Sequence, residues 1–440
     1  MILETKNFFR IFFPMMLSFV SSRLITQTDL IMLSPLGESA VAAYSIPTRV
    51  MLFDLIVALA LGPVVSVAIA KLTKIEDRRI LIKNAISTAM YLGSILMLIG
   101  LMVYPYIVAS IVGNQHVETL ANGAVLYLTL SIPIRLTQFI GAMVLYGSGR
   151  GKEITPYILG AVIVNAALNW LFIYYLQFGF EGCYIATILT SIFELYVTLH
   201  LLSKDIRVFQ IFKLPDIGWI KSVLDKIGSE WGRLVSFQIV NMTMLGLFAI
   251  NSDWVSRLSA FSIAVDLQAF MLMPLIATMR SVAIALAARP ELKSAYYIYR
   301  SLSRITLGGL MVVIPVAVIF ALFGVSAGRV LYGLSAEAMT WWIPFVFITS
   351  LLLPLYFWNA LQRGAWQSQG RFSFIFMVEA FTQWALLLPI MYIGLKLGNP
   401  WMSWSGILIA EIVIAVMLYS QRRQLSTESQ GERVIEECRE

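Results

Sequence analysis

Charge is what this 440-residue chain has least of. Asp, Glu, Lys and Arg make up 13% of it, about half of the roughly 25% typical of soluble domains. Histidine and cysteine are almost missing, with two of each. Cys183 and Cys438 stand in an apolar segment and in the polar tail, so no disulfide framework is implied. His116 and His200 are too few and too far apart for a His/Cys metal cluster. The phosphate-binding loop is missing too: Gly147-Ser-Gly-Arg-Gly-Lys152 has its glycines and lysine at the wrong spacing. Neither a nucleophile elbow nor an HExxH pair occurs. These absences remove the common enzyme classes, and no cofactor is expected.

What fills the chain instead is apolar. Hydrophobic residues are 59% of the total and the mean hydropathy is +0.80. About 20 apolar residues suffice for one membrane crossing. Such runs fall near 8–33, 41–70, 80–111, 117–147, 155–177, 181–203, 227–251, 256–288, 295–325, 338–368, 371–397 and 400–421. The sequence thus predicts an all-α membrane protein of twelve transmembrane helices in two pseudo-symmetric six-helix bundles. The first run is too long for a signal-peptide core and is retained as a helix. Internal prolines at 14, 47, 63, 133, 274 and 354 are candidate kinks.

The net charge of +7 is read as topology and not as a nucleic-acid surface. With the N-terminus in the cytoplasm, the inner segments hold 23 of the 32 Lys and Arg residues, and the outer loops hold three, Arg257, Arg329 and Lys396. Positive loops stay inside. Both termini are therefore expected in the cytoplasm, with the protein in a bacterial inner membrane. The expected organisation is residues 1–203 as an N-terminal bundle, 204–226 as a cytoplasmic amphipathic linker, 227–421 as a C-terminal bundle and 422–440 as a polar tail.

The halves resemble each other. Ala43–Arg49 matches Ala260–Asp266, Ser131–Pro133 matches Leu352–Pro354, Leu145–Arg150 matches Trp366–Arg371, and Gly182–Ala186 matches Gly406–Ala410, all displaced by 217 to 224 residues. A repeat of six helices has parallel topology, the arrangement of transporters whose site lies between the halves.

Ionisable residues inside the spans carry the functional signal, because each costs roughly 2.5–3.5 kcal/mol at membrane depth on insertion scales. The acids are Asp29, Asp54, Glu194, Glu230, Asp266, Glu379 and Glu411; the bases are Arg23, Arg49, Arg135, Arg233, Arg280 and Arg363. Glu230 and Arg233 are three apart and read as a local pair. Arg280 and Arg363 lie near cytoplasmic helix ends and are expected to snorkel. Arg23 and Arg135 sit mid-span. Asp29 admits two readings: an interfacial acid in water, or a carboxylate in the ion pathway. Asn165 and Asn169 share one helical face and could bond a carboxylate, line a cavity or join helices.

Several motifs resemble the multidrug and toxic compound extrusion (MATE) family of the multidrug/oligosaccharidyl-lipid/polysaccharide exporter superfamily. They are Thr28-Asp29-Leu-Ile-Met32 with Leu36-Gly-Glu-Ser-Ala40, Leu145-Tyr-Gly-Ser-Gly149 with Pro156, the Asn165/Asn169 pair, and Gly179-Phe-Glu-Gly182-Cys-Tyr-Ile-Ala-Thr187. The family's Asp and Thr after the fourth helix are replaced by Arg150 and Gly151. The resemblance implies an ion-coupling cluster of Asp29, Asn165, Asn169 and Thr187, and a substrate cavity drawing on Gln238, Asp266, Asn359, Arg23, Arg49 and Arg135. Gln238 stands where many members have Glu, so one acid fewer favours a proton over sodium as the coupling ion. The expected function is a proton-coupled exporter of small organic or amphipathic compounds, acting as a monomer in the lipid bilayer. The alternative on the same fold is an exporter or flippase of an anionic substrate, motivated by Arg23, Arg49 and Arg135.

Overall fold

Within hydrocarbon a backbone must satisfy its own N–H and C=O groups, and long apolar runs therefore become helices. The computed structural model describes residues 5–36, 40, 43–44, 46–47, 50–111, 115–206, 212–249, 254–288, 295–330, 332 and 334–421. Every regular element among them is helical. In the first half these are α1 (Thr5–Leu33), α2 (Leu52–Lys71), α3 (Ile75–Ile111), α4 in two arms (Gln115–Leu130 and Ile132–Gly147), α5 (Gly151–Asn169) and α6 (Gly179–Leu202). The second half has α7 (Ile217–Ala249), α8 (Trp254–Ala287), α9 (Ala295–Val330), α10 (Ala336–Ser368), α11 (Phe372–Thr382, continued by Leu388–Lys396) and α12 (Pro400–Ser420). Among the described residues nine helices are long and apolar enough to span, or ten with the bent pair that makes α4. Helices α2 and α7 complete the expected twelve. Helix α7 begins at Ile217 and runs unbroken through the last ten residues of the predicted linker.

Two compact units emerge: residues 10–227, and residues 228–440 with 1–9. In the first, Pro133 lacks the N–H that would continue α4, and the two arms meet at 51°. Gly93 of α3 accommodates the break, since a Cβ there would stand 2.7 Å from the Pro133 Cα. Arg150, which replaces a family acid, ties the α4–α5 turn to α6 by bonding Glu153, Asp205 and the Leu201 carbonyl. In the second unit the core is built on tryptophan. The indoles of Trp342, Trp366 and Trp404 are almost fully buried, and each donates to a backbone carbonyl, of Gly324, Leu418 and Trp341 respectively. Lipid tails are as apolar as these side chains, so close packing and such bonds hold the helices together rather than burial alone.

The internal repeat is visible in the backbone. Gly149 and Gly370, 221 residues apart, both adopt positive φ, at 74° and 84°. A Cβ would strain either one. Each unit's fifth helix also contains a π-helical stretch, Trp170–Tyr175 in α5 and Gln383–Leu387 in α11. Glycines of the following helix pack against both: a Cβ on Gly182 would lie 2.8 Å from the Phe172 carbonyl carbon, and one on Gly406 would lie 3.0 Å from the Leu387 oxygen.

Candidate ion-coupling site

Asp29 lies four residues before the end of α1, which a 3-10 turn, Ser34–Leu36, closes. It is 4% exposed, so the interfacial reading of this acid does not hold. Asn169 is the last α-helical residue before the π stretch of α5; such wide turns are frequent at functional sites because they re-aim side chains. Its Nδ2 donates to Asp29 Oδ1 at 2.6 Å and to Asn165 Oδ1 at 3.2 Å. Both asparagines are fully buried. The Tyr44 hydroxyl donates to either Asp29 Oδ2 or the Thr26 carbonyl, each 3.3 Å away. Thr187 faces the same carboxylate from α6 and gives its hydroxyl to the Cys183 carbonyl at 2.9 Å. Leu33, Ile173, Phe180, Cys183 and Tyr184 form the apolar wall around the group.

The partners of Asp29 are therefore neutral: two amides, a phenol and an alcohol. Asn169 Oδ1 and Asn165 Nδ2 are buried with no hydrogen-bond partner. A buried amide atom left unbonded costs about 1–3 kcal/mol, so the cluster holds spare donor and acceptor capacity. The ionised carboxylate uses the Asn169 N–H. A protonated one would present an O–H, and an idle carbonyl oxygen stands on that same amide to accept it.

The other predicted residues fall elsewhere. Arg23 is exposed on α1; six residues from Asp29 is about one and two-thirds turns, which puts it on a different face. Arg135 is exposed on the second arm of α4. Gln238 is half-buried in α7. Arg49 and the side chain of Asp266 lie outside the described residues. Asn359 does not line a cavity. It is fully buried and gives its amide to the Glu411 carboxylate at 2.6 Å and to the Glu411 carbonyl at 2.9 Å.

Those last contacts end a chain of ion pairs in the second unit. Arg233 grips Glu230 at 2.8 Å and Glu379 at 3.1 Å, and Arg363 bridges Glu379 at 2.6 Å and Glu411 at 3.1 Å. The local Glu230–Arg233 pair is thus one rung of a ladder joining α7, α10, α11 and α12. Arg363 does not snorkel, because two carboxylates on other helices hold it inside. Arg280 does not either: it is 4% exposed and lies within electrostatic reach of Glu230.

Comparison with known proteins agrees with this architecture. The MatE family model matches residues 14–171, which run from α1 into the π stretch of α5. That segment is a MatE domain. No curated protein matches the sequence. Among solved structures, the chain is similar to a MOP superfamily transporter from Pyrococcus furiosus Vc1 (TM-score 0.85, 20% identity, 95% of each chain covered). It is also similar to a multidrug resistance MATE family transporter in an outward-facing conformation, with the same TM-score, identity and coverage. The Vibrio cholerae MATE transporter VcmN in its bent form aligns at TM-score 0.83 and 14% identity, over 96% of this chain and 97% of that one. The MatE domain thus contributes the whole Asp29 cluster apart from Thr187, and both units together have the fold of MATE transporters.

Proposed function

We propose that this MatE-domain protein is a secondary-active exporter, and not an enzyme, in which proton exchange at Asp29 is coupled to release of a small organic or amphipathic compound. The reading places it in a bacterial cytoplasmic membrane with both termini inside, on the distribution of its basic residues. The observation that carries it is a fully enclosed carboxylate, at membrane depth, with neutral partners and idle hydrogen-bonding atoms beside it. A charge that no cation balances is the one whose state a proton can change at least cost to the surrounding structure. Adding the proton swaps a hydrogen-bond acceptor for a donor, and Asn169 and Tyr44, from α5 and the segment before α2, must re-bond. A proton bound in one arrangement and substrate in the other then displace each other through differential affinity. Sodium is the weaker candidate, since it prefers several oxygen ligands and charge and the cluster has one acid.

The test is efflux from proteoliposomes of a lipophilic cationic dye under imposed pH or sodium gradients. The expected result is transport driven by the pH gradient in the wild type and lost in Asp29→Asn. Unchanged pH-driven transport in that variant would remove Asp29 from the coupling step. Arg135, exposed and without an ion pair among the described residues, supports the second reading, an anionic substrate; under it, Arg135→Ala abolishes anion transport and dyes are never moved.

A further inference from the structure

A second group of charges in the first unit takes no part in the Asp29 cluster. Asp54 of α2, Arg135 of α4 and Glu194 of α6 converge so that the guanidinium acts electrostatically on both acids. The break at Ser131–Pro133 causes the convergence, because it starts a new helix at Ile132 and puts Arg135 in its first turn. Three charges this close would ordinarily pair. Among the described residues they do not: Arg135 makes neither an ion pair within 4.0 Å nor a hydrogen bond. Both Asp54 carboxylate oxygens are enclosed and unbonded, with the Tyr104 hydroxyl standing off at longer range. Glu194 lines a cavity of about 160 Å³ with Gln138, Tyr157 and Thr198, and the Thr198 hydroxyl is also buried without a partner.

An arginine whose exposed face met lipid would be costly, and an enclosed carboxylate without a cation is costly as well. A ligand that supplies both missing partners removes both penalties. We propose that Asp54 and Arg135 form a substrate site for zwitterions, with an acidic group of the substrate seated on the Arg135 guanidinium and an ammonium group on Asp54. Glu194, on the other side of Arg135, offsets its charge. A simple cation would meet the uncommitted guanidinium, and a simple anion would meet two carboxylates. This deepens the transport reading above, on which it rests, and merges its two alternatives into one substrate class.

Nε-dansyl-lysine, its methyl ester and its Nα-acetyl derivative share one fluorescent scaffold as zwitterion, cation and anion. In proteoliposomes under a pH gradient, the zwitterion is expected to move roughly ten-fold or more faster than either derivative, the loss expected for one charged hydrogen-bonding partner. Arg135→Gln should bring zwitterion and ester to the same rate, and Asp54→Asn should bring zwitterion and acetyl derivative to the same rate. Binding of the three compounds to wild-type protein in detergent, read by dansyl fluorescence, should show the same order and reports on the site even if transport fails. Transport or binding of the ester in preference to the zwitterion would overturn the proposal while leaving export intact. A zwitterion preference that survives both substitutions would overturn the assignment of these residues. Dye transport lost in Asp29→Asn, with no charge preference among the dansyl compounds, separates failure of this site from failure of the coupling reading.

Discussion

In the first unit Asp29 is bonded by amides and a phenol, whereas in the second Glu230, Glu379 and Glu411 are bonded by guanidinium groups. Both arrangements bury carboxylates among helices at membrane depth, yet they can do different things. Removing or adding a proton in the ladder breaks an ion pair and strands an arginine, a penalty of several kcal/mol. The same event at Asp29 strands no charge. The ladder ties four helices into a fixed body, and the Asp29 cluster joins α1, α5 and the segment before α2 through bonds that can be exchanged. The internal repeat therefore supplies two similar frames, and side-chain chemistry gives them unequal roles.

Breaking the ladder should have the largest effect on stability. Arg363→Met leaves Glu379 and Glu411 without their shared cation, and is expected to destabilise the protein by about 3–5 kcal/mol. Thermal denaturation in detergent reads this as a markedly lower midpoint. An unaltered midpoint would mean that the ladder is no stronger a tie than the Asp29 cluster. Asn169→Ala comes next, because it removes the 2.6 Å bond to the Asp29 carboxylate. Hydrogen bonds to a charged group are worth about 1.5–3 kcal/mol, so a smaller drop in the midpoint is expected, together with weakened pH-driven dye efflux.

Tyr44→Phe deletes a 3.3 Å bond and is expected to cost about 0.5–1.5 kcal/mol. Its signature is a shifted pH dependence of transport with near-normal amounts of folded protein in the membrane. Asp29→Asn should have the smallest effect on stability and a full effect on coupling. It keeps the shape and removes the one charge that no cation balances, so the midpoint should stay at or above that of the wild type. A large loss of stability in this variant would show that the carboxylate is structural, like those of the ladder.

Much of this was legible in the residues, for physical reasons that also mark the limits. Bilayer thickness sets a length that apolar runs must meet, so the spans could be counted. Pro133 announced the α4 break because a missing N–H is a local property. Asp29, Asn165 and Asn169 stood out because polar groups are scarce in such segments, and their family-like spacing joined them. Tyr44 was not legible: one of 18 tyrosines, it reaches Asp29 only through tertiary packing. Arg363 was misread from its distance to a helix end, whereas partners on α11 and α12, 16 and 48 residues away, decide its place. Arg23 seemed to belong beside Asp29 by sequence distance, but helical phase separates them. Asn359 looked like a cavity residue until Glu411 was found against it.

The central claim is that proton exchange belongs to Asp29 and not to the carboxylates of the ladder. Infrared difference spectroscopy across a pH titration of the reconstituted protein resolves the carbonyl band of a protonated carboxyl group. The account predicts a band that disappears in Asp29→Asn and persists in Glu379→Gln and Glu411→Gln. A band that persists in Asp29→Asn and disappears in either ladder variant would contradict it.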